Sequence, residues 1–360
     1  MHVAVAGAGA FGRNHLRVFR ELEAAGWGVV LSAAVEPDRD RAADTAARYG
    51  IPVFASVEEF FSAGLPLDAV SVAVPTGQHH AVSARLLDAG LDVLVEKPIA
   101  SSLEEADDLI RRAERGHRIL QVGHLERFNP AVLAVQPRLK RPMFFEAHRL
   151  SVFTPRSLDV DVVLDLMIHD LDIVLTFARS PVREVRAVGL PILSPKVDIA
   201  NVRVEFESGC VANFTASRVS TERVRKLRFF EPRQYVSIDY ARRDLLVIRL
   251  DAEVPGTLPP EIAAMLASGK ADPAQLAQLA GTATGSHPSP GLSFAKPEVP
   301  PGEPLRLEIE SFVDAVRSRR EPRVTARQGR DALALALEIQ SAMVAHAHRA
   351  GLQNFFQPTA

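Results

Sequence analysis

The sequence predicts an α/β fold, with a doubly wound parallel sheet in an N-terminal domain and a largely antiparallel open sheet in a C-terminal α+β domain. In the N-terminal part of the chain, short apolar segments alternate with helical segments, and a glycine-rich turn follows the first apolar segment. After Gly123 the predicted strands follow one another directly. Alternating strands and helices are typical of a parallel sheet covered on both faces, whereas consecutive strands favour antiparallel pairing.

The predicted N-terminal domain covers residues 1–122. Its apolar runs predict strands at His2–Ala6, Val29–Val35, Ala69–Val74, Asp92–Val95 and Ile119–Val122. The segments between these strands predict helices at Arg13–Ala25, Arg39–Tyr49, Ala81–Ala89 and Leu103–Arg115. This order predicts a Rossmann domain, in which ligands bind at the carboxyl ends of the strands.

The predicted C-terminal domain covers residues 123–360 and combines a long helix at Val162–Ala178 with a series of strands. The strands are predicted at Met143–Val152, Val182–Gly189, Asn201–Phe206, Val211–Ser217, Leu227–Phe230, Gln234–Asp239 and Leu245–Leu250. Residues 254–304 are rich in Pro, Gly, Ala and Ser and are predicted to be an insertion, before closing helices at Glu308–Ser318 and Gln328–Ala347. We expect one face of the sheet to be free for a substrate or a second copy of the chain.

Composition and charge argue against several classes of protein. A formal net charge of -2 lacks the basic excess of a nucleic-acid binder, and no apolar run reaches the ~18 residues that a membrane span needs. The N-terminus has no signal-peptide pattern. Cys210 is the only cysteine, which fits a reducing compartment, and no metal-binding motif occurs. These features predict a cytoplasmic protein that binds no nucleic acid, membrane or metal.

The glycine-rich turn comprises residues 7–12, directly after the first strand and directly before the first helix, with the sequence GAGAFG. In this context the first glycine allows a tight turn, the second lets the backbone approach a pyrophosphate, and the third lets the helix pack on the strand. Free N–H groups and the helix dipole favour an anion there. We therefore predict a dinucleotide site formed by Gly7, Gly9, Ala10, Phe11 and Gly12.

Glu36 follows the second strand, where this fold places an acidic residue roughly 20 residues beyond the glycines. A carboxylate there accepts hydrogen bonds from the ribose hydroxyls and repels a 2′-phosphate, which favours NAD over NADP. NADP stays an alternative because Arg39 and Arg41 are close in sequence. A loop carboxylate without a ligand is a further interpretation.

Two further strands end in polar residues at the same edge of the sheet. Pro75, Thr76 and His79 follow one strand, and Glu96-Lys97 ends the next, before a proline. We predict that these residues contact the cofactor, with a purely structural role as the alternative for His79. A lysine held at a strand end can also hydrogen-bond an alkoxide as it forms.

A third polar group lies on the long helix of the C-terminal domain. Asp165, His169 and Asp172 are spaced i, i+4 and i+7, so they share one helix face among apolar neighbours. An imidazole can take a proton from a hydroxyl, and a carboxylate one turn away can orient the ring. A structural Asp–His pair is the alternative interpretation of this spacing.

Taken together, these residues resemble the glucose-fructose oxidoreductase / inositol dehydrogenase family, also called Gfo/Idh/MocA, over nearly the whole chain. The resemblance implies an NAD-dependent dehydrogenase in which Lys97, Asp165 and His169 are catalytic and contact the substrate. Hydride would pass from a ring carbon to the nicotinamide while His169, or the Asp165/His169 pair, takes the hydroxyl proton. The resemblance also suggests a cis peptide bond between Lys97 and Pro98.

Two segments, Val122–Pro130 and Val163–Asp170, are similar to those of a group within this family that oxidises the ring 3-hydroxyl of UDP-N-acetylglucosamine. This likeness implies a UDP-sugar substrate and functional coupling to a PLP-dependent aminotransferase that makes an amino sugar for lipid A. Val163-Leu164 replaces a glycine pair that is common in the family, which weakens the likeness to the inositol and glucose enzymes. Because arginine forks suit phosphate oxygens, the expected diphosphate or ring contacts are Arg127, Asn129, Arg149 and Arg156. A surface or ion-pair role is the alternative for each of these arginines.

Three alternatives to a UDP-sugar dehydrogenase stay open from the sequence. The chain could oxidise a free polyol or sugar, or run a redox-neutral glycosidase cycle with tightly held NAD. It could also be a cofactor-binding sensor without turnover, although a sensor has no need of Lys97, Asp165 and His169. By analogy with the family, we expect a homodimer or homotetramer.

Overall fold

The computed structural model describes residues 1–154, 160–250 and 292–352, so Arg156 and most of the predicted insertion lie outside the described residues. The strands are β1 (His2–Ala6), β2 (Val30–Val35), β3 (Val53–Phe54), β4 (Ala69–Val72), β5 (Asp92–Glu96), β6 (Leu120–Gly123), β7 (Phe144–Leu150), β8 (Val182–Leu190), β9 (Ile199–Phe206), β10 (Val211–Ser217), β11 (Val224–Glu231), β12 (Gln234–Asp239), β13 (Asp244–Leu250) and β14 (Leu292–Ala295). The α-helices are α1 (Gly12–Ala24), α2 (Arg39–Tyr49), α3 (Val57–Ser62), α4 (His79–Asp88), α5 (Leu103–Gly116), α6 (Pro130–Val135), α7 (Ile168–Ala178), α8 (Pro304–Ser318) and α9 (Ala326–Arg349).

The chain divides into two compact units. The first comprises Met1–Phe128 and Gly302–Glu338, and the second comprises Asn129–Pro301 and Ile339–Ala360. The C-terminal domain predicted from the sequence covers residues 123–360, whereas Gly302–Glu338 packs with the first unit. Helix α8 explains this difference, because its apolar face joins the core that surrounds α1. The two helices are separated by most of the chain, so no local pattern could predict their contact.

The first unit contains a six-stranded parallel sheet in the order β3-β2-β1-β4-β5-β6. This is the strand order of a dinucleotide-binding doubly wound fold, and the order reverses between β1 and β4. The residues of β4 are all buried, including Ser71, as expected for a strand in the middle of a parallel sheet that is covered on both faces. Ligands of such folds bind outside the carboxyl ends of the strands, at the point of reversal.

Local chemistry sets several helix boundaries in this unit. The Ser102 hydroxyl accepts the Glu105 N–H at 3.2 Å, and the Glu105 carboxylate accepts the Ser101 N–H at 2.9 Å, so α5 begins at a reciprocal cap. Helix α2 ends at Tyr49 and is capped by Gly50, whose φ is +62°. The sequence analysis identified both helices. It missed β3 and α3, because elements of two and six residues are too short for a period to be counted.

The second unit contains an eight-stranded sheet in the order β14-β13-β12-β11-β7-β10-β9-β8. Strands β7 and β10 are parallel, and the other neighbours are antiparallel. On one face Phe145 packs against Phe229 with ring centroids 5.7 Å apart, and the Phe177 ring of α7 contacts Phe229 edge-on. On the opposite face Phe144 and His148 are accessible to solvent. The predicted fold class is confirmed for both units.

The helical segment that holds Asp165 and His169 has two parts. Val163–Met167 forms a π-helical turn, and α7 continues from Ile168. The sequence predicted a single long helix, because apolar periodicity over one turn does not distinguish a wider π turn from an α turn. Single π turns inside helices occur frequently at functional sites.

Across residues 1–154, 160–250 and 292–352, no helix is both long and apolar enough to cross a membrane. The same ranges hold no cluster of three or more His, Cys, Asp or Glu side chains that could bind a metal ion. Cys210 is buried, and burial raises the pKa of its thiol to about 11. This thiol therefore stays protonated at neutral pH.

Candidate functional site

In the turn between β1 and α1, a side chain would clash with the backbone at two positions. Gly7 has a φ of +92°, and a Cβ there would lie 2.6 Å from the Ala73 carbonyl oxygen. A Cβ on Gly12 would overlap the Gly7 carbonyl oxygen, so this glycine lets α1 begin against the turn. Gly9 differs, because a Cβ there would meet nothing within 4 Å. The turn therefore leaves open space beside Gly9, which is the space that a pyrophosphate needs.

The N-terminus of α1 carries no side-chain cap and no acidic residue in its first turn. Ala10 and Phe11 are exposed there, and the Phe11 ring meets the His15 ring edge-on with centroids 5.3 Å apart. An uncapped N-terminus on a helix of 13 residues presents backbone N–H groups and a partial positive charge. This end of α1 therefore suits an anionic ligand, and the glycine turn fits a dinucleotide.

Glu36 lies just after β2 and is 3% exposed. One carboxylate oxygen accepts the Ala8 N–H at 2.8 Å, and the other accepts the Asp38 N–H at 3.0 Å and the Arg41 guanidinium at 2.9 Å. Burial raises the pKa of Glu36, but the Arg41 contact and the two N–H groups outweigh it and hold this pKa below its usual range. An ionised carboxylate beside the glycine turn is what ribose recognition requires.

The segments after β4 and β5 are joined through His79. Its Nδ1 lies 2.7 Å from the Pro98 carbonyl oxygen, and its Nε2 lies 2.9 Å from the Val74 carbonyl oxygen. Burial lowers the pKa of His79, and the two carbonyl groups oppose this effect. The Lys97–Pro98 peptide bond is cis, as the resemblance suggested. This geometry supports the structural alternative for His79, which holds the lysine segment in place. Three other predicted contacts at this edge are accessible to solvent: Pro75, Thr76 and Lys97.

A buried hydrogen-bonded chain lies behind Glu96. His15 Nε2 is 3.1 Å from Glu96 Oε1, and His15 Nδ1 is 2.7 Å from Ser71 Oγ. His15 and Ser71 are fully buried, so α1, β4 and β5 fix one another through these side chains. The sequence analysis identified Glu96 but missed its two partners. The available signal was a histidine on the apolar stripe of α1, one turn before Phe19.

In the second unit, Asp165 lies in the π-helical turn and His169 in the first turn of α7. The adjacent Asp170 is buried and forms a bidentate ion pair with Arg149 of β7, at 2.7 Å from Nε and 3.0 Å from Nη2. The Arg149 guanidinium also lies 5.3 Å from the centroid of the Tyr240 ring. This pair ties the start of α7 to the sheet, directly beside His169.

Two other side chains that were expected to contact a diphosphate also have internal partners. Arg127, in the first unit, is 5% exposed and donates to the Arg323 carbonyl at 3.3 Å and the Gln328 side-chain oxygen at 3.4 Å. Asn129, in the second unit, caps α6 and donates to the Tyr240 carbonyl at 3.1 Å. These contacts, like that of Arg149, favour roles in holding the fold over the predicted direct contacts. The sequence could not show this, because each partner is distant in the chain.

Two family models match the chain. The model of an oxidoreductase family with an NAD-binding Rossmann fold, GFO_IDH_MocA, matches residues 1–124. The model of the GFO/IDH/MocA C-terminal domain matches residues 132–233. A curated relative, UDP-N-acetylglucosamine 3-dehydrogenase of Acidithiobacillus ferrooxidans, is 33% identical over 351 residues that cover 97% of this chain and 99% of the relative. An inositol 2-dehydrogenase of Leifsonia xyli is 33% identical over 195 residues, which cover 51% of this chain and 56% of the relative.

Solved structures extend this similarity. UDP-N-acetylglucosamine 3-dehydrogenase GnnA from Acidithiobacillus ferrooxidans has a TM-score of 0.80 at 32% identity, covering 96% of this chain and 98% of that chain. The WlbA dehydrogenase from Bordetella pertussis, solved with NADH and UDP-GlcNAcA, shares the fold with a TM-score of 0.73 at 15% identity, over 96% of each chain. These matches confirm the family that the residues resembled. This chain belongs to the GFO/IDH/MocA family of oxidoreductases, whose N-terminal domain is an NAD-binding Rossmann fold.

Proposed function

We propose that this chain oxidises the ring 3-hydroxyl of UDP-N-acetylglucosamine, or of a closely related UDP-sugar, to a ketone with NAD as hydride acceptor. The observation that carries the proposal is the similarity, at 33% identity over 97% of the chain, to an enzyme named for that reaction. This similarity extends through both units, whereas the inositol dehydrogenase of Leifsonia xyli matches 51% of the chain. A shared substrate requires likeness beyond the cofactor-binding part, so the UDP-sugar is the better supported substrate.

The first unit supplies the residues that would hold NAD. The uncapped N-terminus of α1 and the open space beside Gly9 suit its pyrophosphate. The Glu36 carboxylate would accept hydrogen bonds from the ribose hydroxyls, and its charge opposes a 2′-phosphate, so we propose NAD rather than NADP. Arg41 already contacts Glu36 and offsets part of that charge. The chemistry that NAD supplies when bound is a carbon that accepts hydride.

Three side chains would act on the hydroxyl group. The Lys97 ammonium would donate a hydrogen bond to the reacting oxygen and stabilise the negative charge that develops there. His169 would accept the hydroxyl proton, because an imidazole nitrogen can act as a general base. Asp165 would orient the ring and stabilise the imidazolium. The C–H bond breaks with both electrons leaving as hydride, and the electron pair of the broken O–H bond completes the new C=O bond.

We also propose two consequences for the enzyme in its setting. On the accessible sheet face the Phe230 ring contacts those of Phe144 and Tyr235, and this face would form the interface of a dimer or tetramer. The 3-keto product would be consumed by a PLP-dependent aminotransferase that makes an amino sugar for lipid A. A mass of one chain in light scattering would contradict the oligomer, and no amino-sugar product in a coupled assay would contradict the second step.

The test of the proposed reaction is absorbance at the reduced-nicotinamide band after purified protein, NAD and UDP-N-acetylglucosamine are mixed. A ketone trap or an aminotransferase is included to remove the product. We expect absorbance to rise with this sugar and not with inositol, glucose or free N-acetylglucosamine. A rise with inositol alone would overturn the substrate assignment. Bound NAD without reduction by any of these sugars would favour the redox-neutral glycosidase cycle or the sensor.

A further inference from the structure

A second buried ion pair in the second unit takes no part in the chemistry proposed above. Asp198 directly precedes β9, Arg218 directly follows β10, and Arg218 Nε lies 2.7 Å from Asp198 Oδ1. The two residues are 0% and 4% exposed. Removing two charges from water is unfavourable unless each is also well hydrogen-bonded. The other hydrogen-bond partners of Asp198 and Arg218 therefore indicate which parts of the backbone the ion pair stabilises.

Asp198 organises the loop between β8 and β9. Its Oδ2 accepts the N–H groups of Ile192 at 2.8 Å, Leu193 at 2.6 Å and Ser194 at 2.8 Å, and its Oδ1 accepts the Ser194 hydroxyl at 2.6 Å. Burial raises the pKa of Asp198, but these donors and the Arg218 guanidinium outweigh it and hold this pKa well below its usual range. The carboxylate is therefore a fixed negative anchor inside the loop.

Arg218 connects this loop to the segment that leads into the π-helical turn. Its Nη1 donates to the Val160 carbonyl at 2.9 Å, and its Nη2 donates to the Val197 carbonyl at 3.4 Å. The Val197 carbonyl also accepts the Val162 N–H at 3.0 Å. The guanidinium thus holds the backbone at Val160, and a shared carbonyl holds it at Val162.

Asp161, the residue between these two points, binds N–H groups of the π-helical turn through its side chain. Asp161 Oδ1 accepts the N–H groups of Val163 at 2.8 Å and Leu164 at 3.1 Å. The Asp161 carbonyl accepts the Asp165 N–H at 3.0 Å. The backbone to which Arg218 donates a hydrogen bond therefore leads directly into the turn that carries Asp165. His169 follows in the next turn.

We propose that Arg218 and Asp198 are positioning residues that fix the start of the helical segment carrying Asp165 and His169, and that they set kcat through this geometry. The inference rests on the proposed function, because it concerns the side chains assigned to proton transfer. A misplacement of about 1 Å in a reacting group can lower a rate by about 10²-fold. The Arg218–Asp198 pair would prevent such a misplacement by restricting the motion of the backbone that precedes Asp165.

The primary test is Arg218→Lys, which keeps the charge but replaces a rigid fork of donors with a flexible ammonium. We expect kcat to fall by about 10- to 100-fold, with KM for the UDP-sugar and Kd for NAD unchanged. Ser194→Ala is a milder second variant, because this hydroxyl bridges Asp198 and Arg218 Nη2 at 2.6 and 3.2 Å. We expect a smaller fall in kcat from that variant.

Ile238→Ala is the matched control for a general loss of stability. Ile238 is fully buried in the same sheet, on β12, and it makes no part of the loop or the helical segment. We expect this variant to lower Tm and keep kcat. Wild-type kcat in Arg218→Lys, or a fall in kcat no larger than that of Ile238→Ala at an equal loss of Tm, would overturn the proposal.

Hydrogen–deuterium exchange separates failure of this inference from failure of the proposed function. In the protein without substrate, we expect Arg218→Lys to speed exchange at the amides of residues 163–170 and to leave those of β12 unchanged. If the wild-type protein binds NAD but oxidises no sugar, the proposed function fails, and the exchange result still decides whether Arg218 holds this segment. Unchanged exchange at residues 163–170 would overturn the positioning role. The same measurement on Ser194→Ala applies if Arg218→Lys does not fold.

Discussion

The two units build their candidate functional groups by different means. In the first unit, the groups lie at the ends of neighbouring parallel strands, and much of the ligand-facing surface is backbone around Gly9 and the N-terminus of α1. In the second unit, two buried ion pairs, Arg149–Asp170 and Arg218–Asp198, adjoin the helical segment with Asp165 and His169. A site formed by backbone groups therefore requires that no side chain fills the space beside them. A site formed by side chains requires partner residues, often distant in the sequence, that hold those side chains in place.

The largest effect on the backbone site is expected from Gly12→Ala. Its Cβ would overlap the Gly7 carbonyl oxygen, so the turn must move, and we expect loss of NAD binding together with a lower Tm. Gly9→Ala is the matched control, because its Cβ meets nothing in the protein. We expect Gly9→Ala to keep the wild-type Tm but to weaken NAD binding by about 5- to 150-fold, since an intruding methyl group costs about 1–3 kcal/mol. Fluorescence titration would measure the Kd for NAD, and thermal melts would measure Tm. An equal Tm for the two variants would contradict the prediction.

The next largest effect is expected from Lys97→Met. Removing a charged donor from a developing oxyanion lowers kcat by about 10²- to 10³-fold. We expect the Kd for NAD to change little, because its pyrophosphate and ribose would be held at the glycine turn and Glu36. Steady-state kinetics and NAD titration would measure both quantities. Wild-type turnover in Lys97→Met would show that the proposed role of Lys97 is wrong.

A third prediction compares a buried ion pair of the second unit with an exposed pair of the first. Arg149→Met leaves Asp170 as an uncompensated buried carboxylate, so we expect the free energy of unfolding to fall by about 3–5 kcal/mol. Arg330→Met breaks the more exposed pair with Asp107, and we expect no measurable change. Urea unfolding curves would measure both variants. Equal urea midpoints for Arg149→Met and Arg330→Met would show that the buried pair contributes no more to stability than the exposed pair.

Acid should weaken the second unit through Asp198. Its pKa is depressed in the folded protein, so its contribution to stability is present above the unfolded pKa of about 3.9 and is lost as pH falls toward the folded pKa. Between pH 7 and pH 3 we expect the wild-type protein to lose about 1 kcal/mol more than Asp198→Asn. The slope of the free energy of unfolding against pH is the quantity to compare. Parallel slopes would mean that Asp198 is not held ionised by its donors.

The smallest expected effect concerns the choice between NAD and NADP. Arg41 is half exposed and offsets part of the Glu36 charge, so its removal should strengthen the repulsion of a 2′-phosphate. We expect Arg41→Ala to increase the ratio of the Kd for NADP to that for NAD by about two- to fivefold, in line with the weak effect of exposed charges. Parallel titrations with the two cofactors would measure this ratio. A lower ratio would show that Arg41 does not assist NADP.

The sequence identified most of the first unit because its signals are local. The glycine turn, Glu36 and the segment around Lys97 each adjoin a strand that the apolar pattern already located. His15 and Ser71 were missed because their link to Glu96 joins three elements through side chains alone. For Arg149 the sequence predicted either a ligand contact or an ion pair, and it could not identify Asp170, 21 positions away, as the partner.

By itself, the sequence determined the fold class, the order of the main elements and the chemical types available at each strand end. Apolar periodicity and turn residues act over a few neighbouring positions, so these features can be read from the chain directly. Tertiary structure alone decided that α8 completes the core around α1 and that a π turn carries Asp165. It also decided that two buried arginines, Arg149 and Arg218, form ion pairs with aspartates instead of facing solvent. Close packing and the need to pair every buried charge select these partners, and both act between residues that the chain places far apart.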